Sequence, residues 1–209
     1  MNTFKVVRIA KRGDKLPYEF KQEWIELHTQ LKRSANRVVI GMASGATPAF
    51  DGMAAVYYST ADKARATLGD NPNRQEVLCE EYLAGEKLDA AKTIKSNNQI
   101  KVVRTLFRHK DMSLLQFRDH WMKNYARLEK RLTVETPVQR VVASFALPPE
   151  KGGNEPAFDG MEEIYVASGE DFNAMLATSI PALMRKEEEN FVQLDAPLAV
   201  RLIVEETAL

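Results

Sequence analysis

His28 is the one histidine of this chain that lies within a repeated sequence pattern. The chain has three histidines, and an imidazole beside a cavity can act as a general acid or base because its unperturbed pKa is close to neutral pH. The alternative for His28 is a structural histidine that bonds a backbone carbonyl at the end of an apolar helix face. His109, in a predicted loop, and His120, on the polar side of a predicted helix, are expected to be solvated.

A carboxylate and a tyrosine alternate on the predicted strand over residues 161–166. Period-two alternation puts Glu163 and Tyr165 on one face of that strand, and Tyr57 occupies the position that matches Tyr165 in an earlier strand. A buried carboxylate with a raised pKa beside tyrosine hydroxyls can move protons in dehydration, decarboxylation or isomerisation. The alternative is a glutamate at the rim that is hydrogen-bonded to an edge tyrosine.

Two arginines and two tryptophans occupy matching positions and complete the set of candidates. Arg8 and Arg104 each end the tetrapeptide Lys-Val-Val-Arg. If they point inward they can bind a substrate carboxylate, whereas pairing with Asp or Glu at a strand edge would make them structural, which is the role we favour. Trp24 and Trp121 are expected in the core, where either could also form the wall of a pocket.

The positions of these residues follow from an internal repeat. The tetrapeptide and the hexapeptide Pro-Ala-Phe-Asp-Gly-Met each occur twice and in the same order, at residues 5–8 and 48–53 and again at 101–104 and 156–161. Two exact matches in the same order indicate a tandem duplication. We predict one repeat over residues 1–98 and a second over residues 99–209.

Each repeat has the pattern of a strand, a helix, a hairpin and a second helix, followed by a further strand. Phe20 and Trp24, and likewise Phe117 and Trp121, lie at helical spacing on one apolar face. The Asp-Gly step of each hexapeptide predicts the turn of the hairpin. Two antiparallel sheets packed face to face, with the helices outside, predict an α+β fold closed into a pseudo-twofold α/β barrel around a cavity.

Composition limits the classes of function. Of 209 residues 44% are hydrophobic, and 29 Lys and Arg balance 29 Asp and Glu, which disfavours a nucleic-acid partner. The charged N-terminal segment does not resemble a signal peptide, and no apolar run reaches the ~18 residues of a membrane span. We therefore expect a cytoplasmic protein without a membrane partner. Cys79 is the single cysteine and is expected near the second helix, and the charged run 186–189 is expected to be a solvated helix face.

These motifs resemble the EthD family of dimeric α/β-barrel, ferredoxin-like proteins. The shared features are the opening Lys-x-x strand, an Arg-bearing loop, Phe-x3-Trp-x3-His on the first helix, and Phe-Asp-Gly at a strand entry. Phe20, Trp24 and His28 match the helix pattern, whereas the second copy has Tyr125 in place of the histidine. Glu163 matches a carboxylate of the family, where the first copy has an alanine.

The resemblance covers both halves, and it implies two ferredoxin-like βαββαβ repeats that form a fused dimer. Relatives include cofactor-independent isomerases, decarboxylases and dehydratases that act on lactones, polyketides and aromatic breakdown products. They also include small monooxygenases and haem-binding barrels. The leading hypothesis is therefore a cofactor-independent lyase or isomerase, active in catabolism on a small aromatic, lactone or polyketide-like molecule in the barrel cavity, with no metal.

In this hypothesis His28, Glu163 and Tyr165 are catalytic. The residues expected to bind the substrate are Tyr57, Tyr125, Arg8, Arg104, Trp24 and Trp121. The alternatives left open are a haem-binding barrel with His28 as the axial ligand, a monooxygenase, and a non-catalytic small-molecule carrier. Association of two fused barrels into a homodimer is also left open.

Overall fold

The structure is a computed structural model that describes residues 3–44, 48–69, 71, 74–88, 90, 100–151, 153–196 and 199–209. Its strands are β1 (Thr3–Ala10), β2 (Arg37–Ser44), β3 (Gly52–Tyr58), β4 (Arg74–Glu86), β5 (Ile100–Leu106), β6 (Arg140–Ala146), β7 (Gly160–Val166) and β8 (Arg201–Ala208). Its helices are α1 (Pro17–Leu31), α2 (Ala61–Arg65), α3 (Leu114–His120), a π-helical segment (Trp121–Tyr125), α4 (Ala126–Glu135), α5 (Gly169–Leu176) and α6 (Ile180–Glu188). None of the helices in these ranges is both long and apolar enough to cross a membrane.

The eight strands form a closed barrel in the hydrogen-bonded order β1-β3-β2-β8-β5-β7-β6-β4. The predicted α+β class and antiparallel barrel are confirmed. The finer assignment of two ferredoxin-like repeats stays a prediction, as does the division into residues 1–98 and 99–209. The boundary of that division lies outside the described residues.

The chain divides into two compact units that both contain segments distant in sequence. Unit 1 contains Met1–Glu81, Ala146–Ala157 and Leu202–Leu209, and unit 2 contains Tyr82–Phe145 and Phe158–Arg201. In unit 1, β8 at the end of the chain pairs with β2 near its beginning. Each unit therefore depends on parts of the chain that are remote from each other.

In unit 1, β1 lies between β3 and β4, and α1 packs on one face of this sheet. Arg8 of β1 is opposite Ala54 of β3 and Glu76 of β4. Phe20, Trp24 and His28 are the buried residues of α1 and follow one another at single helical turns. They pack against apolar residues of the sheet in one core cluster, as the apolar periodicity of the helix predicts.

In unit 2, β7 lies between β5 and β6 and aligns Arg104 with Glu162. The helix that follows β5 begins at a capping box, in which the Gln116 backbone N–H donates to Ser113 Oγ at 3.2 Å. The Ser113 backbone N–H in turn donates to the Gln116 side chain at 2.8 Å. A serine followed three residues later by a glutamine is the usual spacing of such a box. The helix then widens into the π-helical segment before it continues as α4.

The repeated hexapeptide has a structural role in both units. The backbone N–H of Arg12 donates to Asp51 at 2.9 Å, and that of Arg108 donates to Asp159 at 2.8 Å. The glycine after each aspartate lies under the aromatic pair of the preceding helix. A Cβ atom on Gly160 would come within 2.7 Å of the Trp121 ring. The aspartate of the motif therefore bonds the end of one strand to the start of another, and the glycine allows the tryptophan ring to pack against the backbone.

The structure corrects the expectation about Cys79. This residue is buried in β4, a strand of 13 residues, and not in a helical region. The consecutive buried residues from Val77 to Glu80 explain this, because a strand with both faces covered shows no alternation of apolar and polar residues in its sequence.

Candidate functional site

A buried ion-pair network surrounds Arg104 in unit 2. The Nη1 atom of Arg104 lies 3.0 Å from an oxygen of Glu162, and Nη2 lies 2.8 Å from an oxygen of Glu188. Glu162 comes from the neighbouring strand β7, whereas Glu188 ends α6. Both carboxylate side chains are almost completely buried. We use the term Arg104 cluster for Arg104, Tyr125, Glu129, Glu162 and Glu188.

Tyr125 joins the two carboxylates of this cluster. Its hydroxyl donates to Glu188 at 2.7 Å and lies 3.5 Å from an oxygen of Glu162. Burial is the largest cause of a raised pKa for Tyr125, so the phenol keeps its proton. The π-helical segment ends at this residue, and the Ala126 N–H bonds back to the Trp121 carbonyl, five residues earlier. Such bulges rotate the side chains around them and are frequent at functional sites.

Glu129 adds a third carboxyl group one helical turn after Tyr125. The indole N–H of Trp121 donates to Glu129 at 3.0 Å. Complete burial, followed by the charge of Glu162, raises the pKa of Glu129 well above its usual range. A second guanidinium borders the cluster, because Nη1 of Arg185 lies 3.5 Å from Glu188.

A cavity of about 280 Å³ opens onto one side of the Arg104 cluster. Arg104 and Glu188 are the members of the cluster that line it, and Tyr125, Glu129 and Glu162 are not among the lining residues. The rest of the wall is mostly apolar, with Thr105, Arg185 and Gln193 as further polar groups; its apolar residues are Leu106, Phe107, Val192, Leu194, Ala199 and Val200. The cavity thus combines an apolar wall with an adjacent guanidinium and carboxylate.

The corresponding residues of unit 1 are arranged differently. Arg8 donates to the Thr67 carbonyl at 2.9 Å, and its Nε atom lies 3.3 Å from Glu76. His28 has no exposed surface, and its Nδ1 lies 2.7 Å from the Trp24 carbonyl. Because a carbonyl can only accept, Nδ1 carries the proton and Nε2 has a free lone pair. Burial lowers the pKa of His28 to about 4.

The structure places the other predicted catalytic residues in unit 2, whereas His28 lies in unit 1. Glu163 is buried and forms an ion pair with Lys101, whose ammonium group lies 5.5 Å from the centre of the Tyr165 ring. Glu163 and Tyr165 therefore share one environment around Lys101. Neither residue lines the 280 Å³ cavity. Their catalytic roles stay predictions.

Three of the residues predicted to bind the substrate lie in unit 2 and three lie in unit 1. Arg104 and Tyr125 belong to one network, as described above. Tyr57 donates to Glu81 at 3.1 Å. Trp24 and Trp121 are core residues, and the indole of Trp24 donates to the Met53 carbonyl at 3.2 Å.

Three carboxyl groups of the Arg104 cluster were not singled out from the sequence. Alternation along β7 puts Glu162 on the opposite face from its neighbour Glu163, and Glu163 was preferred as the candidate. Glu129 interrupts an apolar helix face, which is a signal that could have identified it. Glu188 belongs to the charged run that was expected to be solvated. That expectation was wrong for Glu188, which is 1% exposed because α6 turns it toward Arg104.

The larger part of unit 2 is similar to a known protein family. Residues 109–195 match the model of the EthD domain. The predicted resemblance is confirmed for this range, which includes every member of the Arg104 cluster except Arg104 itself. A search of curated proteins finds no match to this chain.

Solved structures share the fold along nearly the whole chain. An anthrone oxidase-like protein aligns with a TM-score of 0.67 at 6% identity, over 99% of this chain and 93% of its own. A candidate monooxygenase from Lactobacillus acidophilus aligns with a TM-score of 0.56 at 10% identity, over 99% and 95%. A chlorite dismutase variant from Candidatus Nitrospira defluvii aligns with a TM-score of 0.50 at 13% identity, over 97% and 90%. At these identities the likeness concerns the fold alone, which the EthD domain shares with these proteins.

Proposed function

We propose that the protein is a cofactor-independent enzyme that moves a proton on a small organic substrate, as a lyase or isomerase does. The reaction is assigned to the 280 Å³ cavity of unit 2. The observation that supports this most directly is that Glu188 and Arg104 line the cavity while a tyrosine and two further carboxyl groups are buried behind them. His28, Glu163 and Tyr165, which were predicted to be catalytic, do not line this cavity.

Glu188 is the proposed base. Oε1 of its carboxylate receives hydrogen bonds from Tyr125 at 2.7 Å and from Arg104 at 2.8 Å, and Oε2 lies 3.5 Å from Arg185, so the carboxylate is held in one orientation at the cavity wall. This carboxylate can accept a proton from a substrate in the cavity. The same carboxyl group can return the proton to a second atom of the substrate.

Arg104 has a different role in this proposal. Its guanidinium lines the cavity beside Glu188, and it can stabilise negative charge that develops on a substrate oxygen as the proton leaves. The apolar wall suits a ring or a short hydrocarbon body. A volume of about 280 Å³ limits the substrate to a small molecule, and an aromatic acid, a lactone or a small polyketide-like compound meets both conditions.

Haem binding through His28 does not fit the residues that surround it. The imidazole has no exposed surface, and its ring centre lies 4.2 Å from that of Trp24. Nε2 has the free lone pair that an axial ligand requires, but the complete burial of the imidazole leaves it no exposed surface through which to reach a macrocycle. We therefore derive no step that involves haem.

The test compares two glutamates of the same helix. We expect E188Q to slow exchange of a substrate C–H proton with D₂O by at least about 100-fold, because the amide cannot accept the proton. E187Q is the matched control, because Glu187 pairs with His120 and does not line the cavity. Exchange would be followed by NMR across lactones and aromatic acids. Unchanged exchange in E188Q would contradict the proposal, and binding without exchange by the unmodified protein would indicate a carrier.

A further inference from the structure

Unit 1 contains an altered counterpart of the Arg104 cluster. Arg8 and Arg104 end the same tetrapeptide. The residue opposite Arg104 on β7 is Glu162, which forms an ion pair with it. The residue opposite Arg8 on the matching strand, β3, is Ala54. Relative to glutamate, alanine lacks a methylene and a carboxylate, which together have the size of an acetate ion.

Two buried polar atoms of the core that contains Ala54 have no hydrogen-bond partner among the described residues. They are His28 Nε2 and the Tyr58 hydroxyl, and both residues are at most 3% exposed. Tyr58 belongs to the same core cluster as Ala54 and Trp24, and the His28 ring packs on Trp24. Arg8 is close enough to both Tyr58 and His28 to interact with them electrostatically. A buried polar atom without a partner is costly, so two in one core indicate a missing group.

The charge of this region favours an anion. Arg8 and Arg74 both contact Glu76, and the Gly69 N–H also donates to that carboxylate at 2.8 Å. Two guanidinium groups thus share one carboxylate within the described part of unit 1. Arg104, by contrast, contacts two carboxylates, those of Glu162 and Glu188. The two duplicated arginines therefore differ in the number of carboxylates that they contact.

We propose that unit 1 binds the carboxylate of a small organic acid beside Arg8, His28 and Tyr58, at the position that corresponds to Glu162 in unit 2. Arg8 and the Tyr58 hydroxyl donate hydrogen bonds to the carboxylate. The site lies outside the cavity assigned to the reaction, and the proposal does not depend on that reaction.

Binding at this site takes up one proton. Nδ1 of His28 donates to the Trp24 carbonyl, so Nε2 can meet a carboxylate oxygen only if a proton lies between them. The charged groups that face His28 are Arg8 on β1 and Arg74 on β4, with Glu76 beside both. The two guanidiniums disfavour a protonated imidazole until an anion is bound. Affinity for the carboxylate should therefore fall as the pH rises.

The first experiment measures thermal unfolding with acetate, with acetamide as its neutral analogue and with chloride as a salt control. We expect acetate alone to raise the Tm of the unmodified protein, because it binds only the folded state. A54E should raise the Tm without acetate and should abolish the response to acetate, because its own carboxylate fills the site. A54Q has the same shape without the charge and should have a lower Tm than A54E.

A second measurement uses the unmodified protein and needs no variant. In ¹H–¹⁵N spectra of the three histidines, acetate should move the Nε2 resonance of His28 toward that of a protonated nitrogen. The resonances of His109 and His120 should not move. Equal effects of acetate and acetamide on Tm, or a His28 resonance that does not respond to acetate, would overturn the proposal.

Discussion

The burial of His28 determines how this residue responds to acid. Its pKa in the folded protein is about 4 and its ordinary value is 6.5, since burial disfavours the charged imidazolium. The unfolded chain therefore takes up a proton at a higher pH than the folded protein. The stability that neutral His28 supplies is fully present above pH 6.5 and is lost as the pH falls toward 4.

We expect His28 to contribute to acid unfolding by a measurable amount. Between pH 6.5 and 4 the unmodified protein should lose about 3 kcal/mol more unfolding free energy than H28Q, which is neutral throughout. Urea unfolding at several pH values, in buffers without carboxylates, measures this difference. H120Q is the control, because His120 is not enclosed but pairs with Glu187 near the surface. Parallel pH profiles for H28Q and the unmodified protein would contradict the expectation.

At the scale of elements, the close contact between the Asp-Gly turn and the aromatic helix face determines how each helix lies on its sheet. Gly52 lies under Phe20 and Trp24, and Gly160 lies under Phe117 and Trp121. The aromatic rings approach the backbone so closely that no side chain fits between them. This packing explains why the Asp-Gly step and the aromatic pair of the helix both occur in both copies, although the polar residues around them differ.

Substitution of Gly160 tests this contact. We expect G160A to lower the unfolding free energy by about 1–3 kcal/mol, because its Cβ would lie 2.7 Å from Trp121 and the helix must shift. G69A is the matched control, since the nearest atom to its Cβ would be 3.9 Å away on a side chain. Urea unfolding and Trp fluorescence measure the effect. Equal stability of the two variants would show that the contact is not restrictive.

At the scale of the whole molecule, the two repeats of the sequence are not the two compact units of the structure. Unit 1 requires β8, which pairs with β2 from Val39↔Ala208 to Ser44↔Ile203. It also contains Leu147, whose backbone N–H donates to the Leu78 carbonyl at 2.9 Å. A chain cut between residues 98 and 99 would leave these backbone groups of the first fragment unpaired.

We therefore expect residues 1–98 not to fold as a monomer. The isolated fragment should show no cooperative thermal transition by circular dichroism under conditions in which sedimentation shows it to be monomeric. Co-expression with residues 99–209 should restore a folded complex, and the uncut chain is the control. A monomeric fragment that unfolds cooperatively would show that the first repeat is independently stable.

The sequence by itself determined the duplication, the amphipathic helices, the Asp-Gly hairpins and the resemblance to the EthD family. These features depend on exact repeats and on periodicities of neighbouring residues, which can be recognised without long-range information. The sequence also drew attention to Arg104 and Tyr125, but it assigned the chemistry to His28 and Glu163. Only the tertiary structure brought Glu129, Glu162 and Glu188 from three separate elements to one guanidinium, because packing between distant segments decides which charged side chains are buried. The same packing decided that His28 is enclosed and neutral, and that the duplicated arginines contact different numbers of carboxylates.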